Sequence, residues 1–199
     1  MKELQDRLNS ELEGIREEIQ QQRVEQWQSP ERQAAFEEIA LLLQDQSRLK
    51  RQMREEFEGD LVVILTEDQQ ELWPPLQRQL IRDRLLPRGR LSGETVDVMG
   101  LVEQQEFEDI MLIELLPVLQ EWDANITVAL TDRDDHMVEN QGVLMSAMRT
   151  MDTTAGIDVM KTQAKLAESV RDINDSAVDN IILLLPEEAG TVFNATAKE

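Results

Sequence analysis

At 199 residues and 41% apolar content the chain is long enough to bury a core as one domain or two small ones, so disorder throughout is not expected. A net charge of -21 and a pI near 4.3 repel phosphate backbones and anionic lipid, which weighs against nucleic-acid partners. The absence of cysteine removes disulfides, thiolate metal sites and a cysteine nucleophile together.

No apolar run approaches the roughly 20 residues that cross a bilayer, so membrane insertion is not expected. With three Trp, four Phe, no Tyr, eight Gly and six Pro, the composition is that of long helices rather than sheets. Residues 2–28 place Leu4, Leu8, Leu12, Ile15 and Ile19 three and four apart, the seam of an amphipathic helix. The opening residues, Met1-Lys2-Glu3-Leu4-Gln5, are polar and carry no apolar signal core. Ser29 is placed to cap a second helix with Pro30 at its first position, where a missing N–H costs nothing. Along that helix Phe36, Ile39, Leu43, Met53, Phe57, Leu61 and Leu65 form an apolar face expected to look into the core.

The helix meets Leu65-Thr66-Glu67-Asp68-Gln69, followed by Trp73. Thr66 can accept from the Gln69 N–H while the Gln69 side chain reaches back to the Thr66 N–H, a capping box, with Leu65 stapling the entry. A degraded copy, Leu185-Pro186-Glu187-Glu188, follows Ile181-Ile182-Leu183-Leu184 as the first follows Leu61-Val62-Val63-Ile64, and Phe193 stands at the offset of Trp73. The pattern predicts one elongated helical domain over 1–199 with a diverged internal repeat at about 45–75 and 165–195.

Pro74-Pro75 predict a kink or break after Trp73. Helical spacing resumes at Leu76, Leu80 and Ile81 and ends near Leu86-Pro87. Arg88 to Gly93 reads as a loop, with Ser92 capping a helical region from Glu94 to about Met151. That region is expected to be interrupted at Pro117 and again near Thr131-Asp132, with Met99, Val102, Phe107, Ile110, Ile113, Val118, Trp122, Ile126 and Leu130 in the core. After Thr153-Thr154-Ala155-Gly156 a last long helix carries Ile157, Met160, Leu166, Val170, Ile173, Ala177 and Leu184 near a heptad seam, and the tail after Phe193 is expected to fray. Helices well above the mean of about 11 residues, joined by short turns, predict an all-α fold of long antiparallel hairpins forming an elongated bundle, kinked at Pro74-Pro75 and Pro117.

Asp132, Asp135, His136 and Glu139 recur at three- and four-residue spacing and could share one helical face around a cation. The Gly and terminal Glu of a calcium loop are missing and there is no second His, so a solvated face is the default and no metal or cofactor is expected. Carboxylate pairs arise by chance among 41 Asp and Glu; no nucleophile elbow and no Walker Lys-Ser/Thr occurs, so binding is expected rather than catalysis. Met137, Met145, Met148 and Met151 are flexible, polarisable side chains that suit either a core or a surface accepting varied apolar partners. Arg78, Arg82, Arg84, Arg88 and Arg90 form the clearest basic concentration, able to meet an acidic partner or neighbouring carboxylates of the same chain.

At Leu65-Thr66-Glu67-Asp68-Gln69, between two long charged helices, the chain resembles the Spy/CpxP-type LTxxQ family of periplasmic helical proteins, over about residues 45–95 and 165–195. The resemblance implies a hooked helical hairpin, usually dimeric, acting in envelope stress as an ATP-independent chaperone or signalling regulator. The family's chaperone members present a basic concave surface, whereas this chain carries -21; its metal-sensing members use His, Cys and Met, and this chain has one His and no Cys. The expectation is a non-catalytic periplasmic or secreted binding protein, a homo-oligomer with the dimer favoured, whose partners are copies of itself or client polypeptides; a cytoplasmic location stays open. A structural or adaptor coiled-coil protein and a metal-responsive regulator are the alternatives.

Overall fold

The computed structural model describes residues 30–105, 107–150 and 153–198; the predicted helix over 2–28 and the Ser29 cap lie outside them. The helices are α1 (Pro30–Ile64), α2 (Glu67–Leu85), α3 (Val98–Gln104), α4 (Asp109–Thr150), α5 (Thr153–Leu184) and α6 (Glu187–Ala197), with a 3-10 turn at Leu86–Arg88. Among the described residues there is no strand, and no helix is long and apolar enough to cross a membrane. The fold is all-α, as the composition and periodicity predict.

The spine is the antiparallel pair α4 and α5: Trp122 meets Asn174, and His136 meets Gln163. On α4, Leu115, Leu119, Trp122, Ile126 and Leu130 recur three and four apart and are buried, facing Val170, Ala177, Val178 and Ile181 of α5. Leu85 and Leu86 from the end of α2, Val98 and Val102 of α3, and Phe193 of α6 close the same cluster. Full burial of each such side chain stabilises the fold by about 1.5–3 kcal/mol. Among the described residues no apolar side chain from 134 to 166 is buried, so the core occupies only the end of the spine near the α4 N-terminus. At the opposite end the two helices touch closely, and a Cβ on Gly156 would stand 2.5 Å from that of Ala147.

Both helix-to-helix joints are built alike. At the first, the Thr66 N–H donates to Gln69 Oε1 at 3.0 Å and the Gln69 N–H donates to Thr66 Oγ1 at 3.4 Å, completing the capping box. The Gln70 side chain adds a second clamp, donating to the carbonyls of Val62 (3.0 Å) and Leu65 (3.1 Å) at the end of α1. At the second joint Pro186 starts α6 by its fixed φ, and the Gly190 N–H donates to the Pro186 carbonyl at 2.8 Å as Gln70 does to Thr66 at 2.9 Å. Two acids follow each start, Glu67 and Asp68 or Glu187 and Glu188, where the helix dipole favours them. Thr66→Ala is expected to lower stability by about 1 kcal/mol. A thermal melt reads this as a fall in Tm of roughly 2–4 °C.

Several sequence expectations give way. Neither Pro74-Pro75 nor Pro117 ends its helix: α2 and α4 run unbroken through them. The carbonyls that lose a donor belong to Gln70, Glu71 and Ile113, all exposed, so water can take the place of the missing N–H. There is no break at Thr131-Asp132 either: α4 continues through them, and Thr131 and Thr127 each donate a hydroxyl back to the carbonyl four residues earlier, at 2.8 and 2.7 Å. Ser92 caps nothing. The chain turns through Gly93 at φ +82° instead, and α3 starts later, at Val98, capped by Asp97 on the Gly100 N–H at 3.3 Å. The region from Glu94 to Met151 is thus two helices, α3 and α4. α5 begins at Thr153, ahead of Gly156, and α6 continues to Ala197 around a fully buried Phe193, so the tail does not fray. Ile110, Ile113, Ile157, Met160 and Leu184 are exposed rather than core.

Candidate partner-binding surface

A buried ionic clasp positions the surface. Arg82 and Arg78 of α2 both pair with Asp123 of α4, and Arg82 lies over the Trp122 ring at 5.4 Å. Arg133, one helical stretch further along α4, pairs with Glu94 and donates to the Leu85 carbonyl. Glu94 also accepts from the N–H groups of Arg90 (2.7 Å) and Leu91 (3.0 Å). Asn174 of α5 completes the clasp, accepting from Trp122 Nε1 at 2.8 Å and donating to the Gly93 carbonyl at 2.9 Å. Burial alone would raise the Glu94 pKa, but the Leu91 and Arg90 N–H groups and the Arg133 guanidinium together hold it below the usual carboxylate value. Burial draws Arg82 and Arg84 below the ordinary guanidinium value. Glu94 is held by Arg133 and by the loop between α2 and α3, and Arg82 by Asp123, which is the arrangement of a structural clasp.

The clasp absorbs much of the predicted basic site. Arg78 and Arg82 are engaged by Asp123, and Arg88 reaches Asp134 at 3.3 Å while staying exposed. Arg84 is half-buried, and Arg90 contributes its backbone N–H to Glu94. Of the acidic face, Asp132 and Glu139 are exposed, Asp135 pairs with Arg51, and His136 Nδ1 stands 3.1 Å from Gln163 Oε1. Among the described residues no group of three or more His, Asp or Glu is placed to hold a metal ion. Met137 and Met145 are half-buried, Met151 lies outside the described residues, and so does the side chain of Met148. Leu65 and Trp73 are half-buried at the first joint beside Thr66 and Gln69.

The most consequential feature is α1, which is packed with its polar side inward. Gln44, Ser47, Arg51, Arg54 and Glu58, three and four apart, are half-buried along it, joined only by Leu61 and Val62 near the joint among the described residues. Gln44 donates to the Glu139 carbonyl (3.1 Å), Ser47 to Gln141 (3.4 Å), and Arg51 pairs with Asp134 (3.4 Å) and Asp135, while Glu58 accepts from Gln77 of α2 (3.0 Å). These contacts run α1 antiparallel to α4. On the outer side Ile39, Leu42, Leu49, Met53, Phe57 and Ile64 are exposed, from 46% at Ile39 to 77% at Ile64. The sequence expectation that Ile39, Leu43, Met53 and Phe57 face the core is therefore reversed; the side chain of Phe36 lies outside the described residues, and Leu61 and Leu65, near the joint, stay half-buried. The reason lies in α4, whose side towards α1 offers Asp134, Asp135, Glu139 and Gln141 rather than an apolar groove. Leu42 and Leu49, with exposed Arg48 and Lys50 beside them, belong to this stripe and were not singled out by sequence; their spacing to Ile39 and Met53 was the available signal.

Because α1 and α5 both run antiparallel to α4, both joints point towards the α4 N-terminus. That end also exposes Val63 (80%), Leu183 (81%) and Ile110 (72%). Between α4 and α5 an open groove of about 490 Å³ is lined by apolar Val118, Trp122 and Ile173 together with Glu121, Lys165 and Asp172. Exposed apolar runs such as the α1 stripe mark interaction sites in soluble proteins, whereas the groove is lined mainly by polar side chains. No family model matches the chain, and neither a curated protein nor a solved structure is similar to it.

Proposed function

We propose that the chain is a non-catalytic helical binding protein that takes amphipathic or unfolded segments of other polypeptides on the outer stripe of α1, an ATP-independent chaperone or regulator of the kind the Leu65-Thr66-Glu67-Asp68-Gln69 resemblance implies. The single observation that carries this reading is the inverted packing of α1, which leaves Leu42, Leu49, Met53 and Phe57 in water while polar side chains hold the helix to α4. The export and dimerisation that the resemblance implies belong to the same proposal. A second reading, an adaptor that binds one defined helix, draws support from the heptad-like spacing of the stripe.

The test is aggregation of a denatured model protein with the full chain at stoichiometric concentration and no ATP. Protection is expected from the wild type and at least a tenfold loss of apparent affinity from Leu49→Glu with Met53→Glu, since burial of two such side chains is worth about 1.5–3 kcal/mol each. Both positions are exposed, so the variant should keep its helical circular dichroism. Absence of protection by folded wild type removes the chaperone reading, and a monodisperse assembly with no affinity for unfolded chains favours the adaptor.

A further inference from the structure

The geometry points to the outer face of the α1–α2 hairpin as a groove for one class of partner, an amphipathic helix whose polar side is basic. The inference rests on the α1 stripe being a binding surface, as proposed above, and adds α2 as its second wall and the charge of what it takes. α2 runs alongside α4 in the same direction, since Arg78 meets Asp123 and Leu85 meets Arg133, so α1 and α2 are antiparallel. Glu58 of α1 accepts from Gln77 of α2 at 3.0 Å and fixes their register. Two antiparallel helices are related by a local two-fold through such a bridge, so residues at equal offsets from Glu58 and Gln77 share a side of the hairpin. Phe57 thus shares a side with Leu76, Leu61 with Leu80, and Met53 with Leu72; all are exposed except half-buried Leu61. The other side carries Arg51, Arg78 and Arg82, which turn to the carboxylates of α4. Apolar walls on two neighbouring helices form the kind of groove that receives the apolar side of a third. Residues 53–64 cover about 17 Å of it, three helical turns.

Charge selects the occupant. Over residues 53–64 and 68–83 the exposed charged side chains are Glu55, Glu56, Asp60, Asp68, Glu71 and Asp83, all acidic. The cations of those spans, Arg54, Arg78 and Arg82, are half-buried or buried, and the last two are paired with Asp123. A helix with Lys or Arg flanking its apolar side meets these carboxylates favourably, and a chain of net charge -21 speeds its approach. A second copy of the chain would bring the same acids against themselves at this face.

The test is fluorescence anisotropy of the full chain with a labelled synthetic helix carrying leucine at i, i+4, i+7 and i+11 and lysine on its other side. This peptide should bind about tenfold tighter than its twin with glutamate in place of lysine, and the gap should narrow as salt screens the acids. Leu76→Glu with Leu80→Glu makes the chain more acidic, yet should weaken the lysine peptide about tenfold by removing the α2 wall. Both positions are exposed, so helical circular dichroism should persist. Asp60→Lys with Asp83→Lys should erase the preference between the peptides while both walls stay in place. Equal affinity for the two peptides, unchanged or tighter binding by the α2 variant, or a dimer of the chain that the α2 variant disrupts would each overturn the proposal. Lysine-peptide binding as expected with no protection of denatured protein would leave the groove standing and remove the chaperone reading; protection without peptide binding would do the reverse.

Discussion

Arg133→Met is expected to lower the free energy of unfolding by about 3–5 kcal/mol, seen as a lower urea midpoint at unchanged slope. Arg133 and Glu94 are 6% and 2% exposed, so removing the guanidinium leaves a buried carboxylate with only the Arg90 and Leu91 N–H groups, and strips the Leu85 carbonyl of its donor. Adding Glu94→Gln should return part of the loss, because an amide oxygen still accepts from those N–H groups without needing a cation. The shortfall from additivity in that double-mutant cycle measures the coupling. A loss below about 1 kcal/mol for Arg133→Met would show that the clasp is not what holds the loop.

The pH dependence follows from the direction of the Glu94 shift. Its pKa is lowered from the ordinary 4.5 on folding, so its contribution is fully present above that value and is lost as pH falls through the depressed folded value. The stability difference between wild type and Glu94→Gln should therefore be constant near neutrality and shrink only once the pH drops below about 4.5. Comparing the two proteins cancels the relief of general repulsion in a chain of net charge -21.

Local rules were legible where the chain's own neighbours decide the outcome. The box at Thr66 and Gln69 is written within four residues, and the Pro30 and Pro186 helix starts need only the φ of proline. The α4 seam was readable at Trp122, Ile126 and Leu130 because apolar residues face it from α5, α2 and α3. Periodicity of the same quality on α1 pointed the wrong way. A 3.6-residue pattern states that a helix has two faces, and only the chemistry of the opposing helix decides which face turns in; here Asp134 and Asp135 chose the side carrying Arg51. The interruption expected at Pro117 does not occur for a related reason, since its penalty is small where the carbonyl of exposed Ile113 can reach water. The clasp was invisible in sequence because Arg82, Glu94, Asp123, Arg133 and Asn174 come from four separate segments of the chain.

Asp123→Leu is the second change expected to be severe, at about 3–5 kcal/mol, and it tests how the α1–α2 hairpin is attached. Asp123 is 7% exposed and is shared by two cations with different escape routes. Arg78, at 36% exposed, can carry its head group into water along its own stem, whereas Arg82, at 8%, is enclosed by Trp122 and Met99 and stays buried without its ion-pair partner. Arg82→Met in the Asp123→Leu background should thus recover most of the lost stability, by filling the site with apolar atoms against Leu85 and Trp122, while Arg78→Met should recover little. Asp123→Asn keeps an acceptor and should fall between wild type and Asp123→Leu. Hydrogen exchange locates the consequence: amides of α2 should lose protection before those in the Ile126 to Leu130 stretch of α4, because the α4–α5 packing does not depend on Asp123. Equal loss across both helices would mean that the clasp belongs to the spine itself and that the α1 stripe is carried by the core rather than by a separable hairpin.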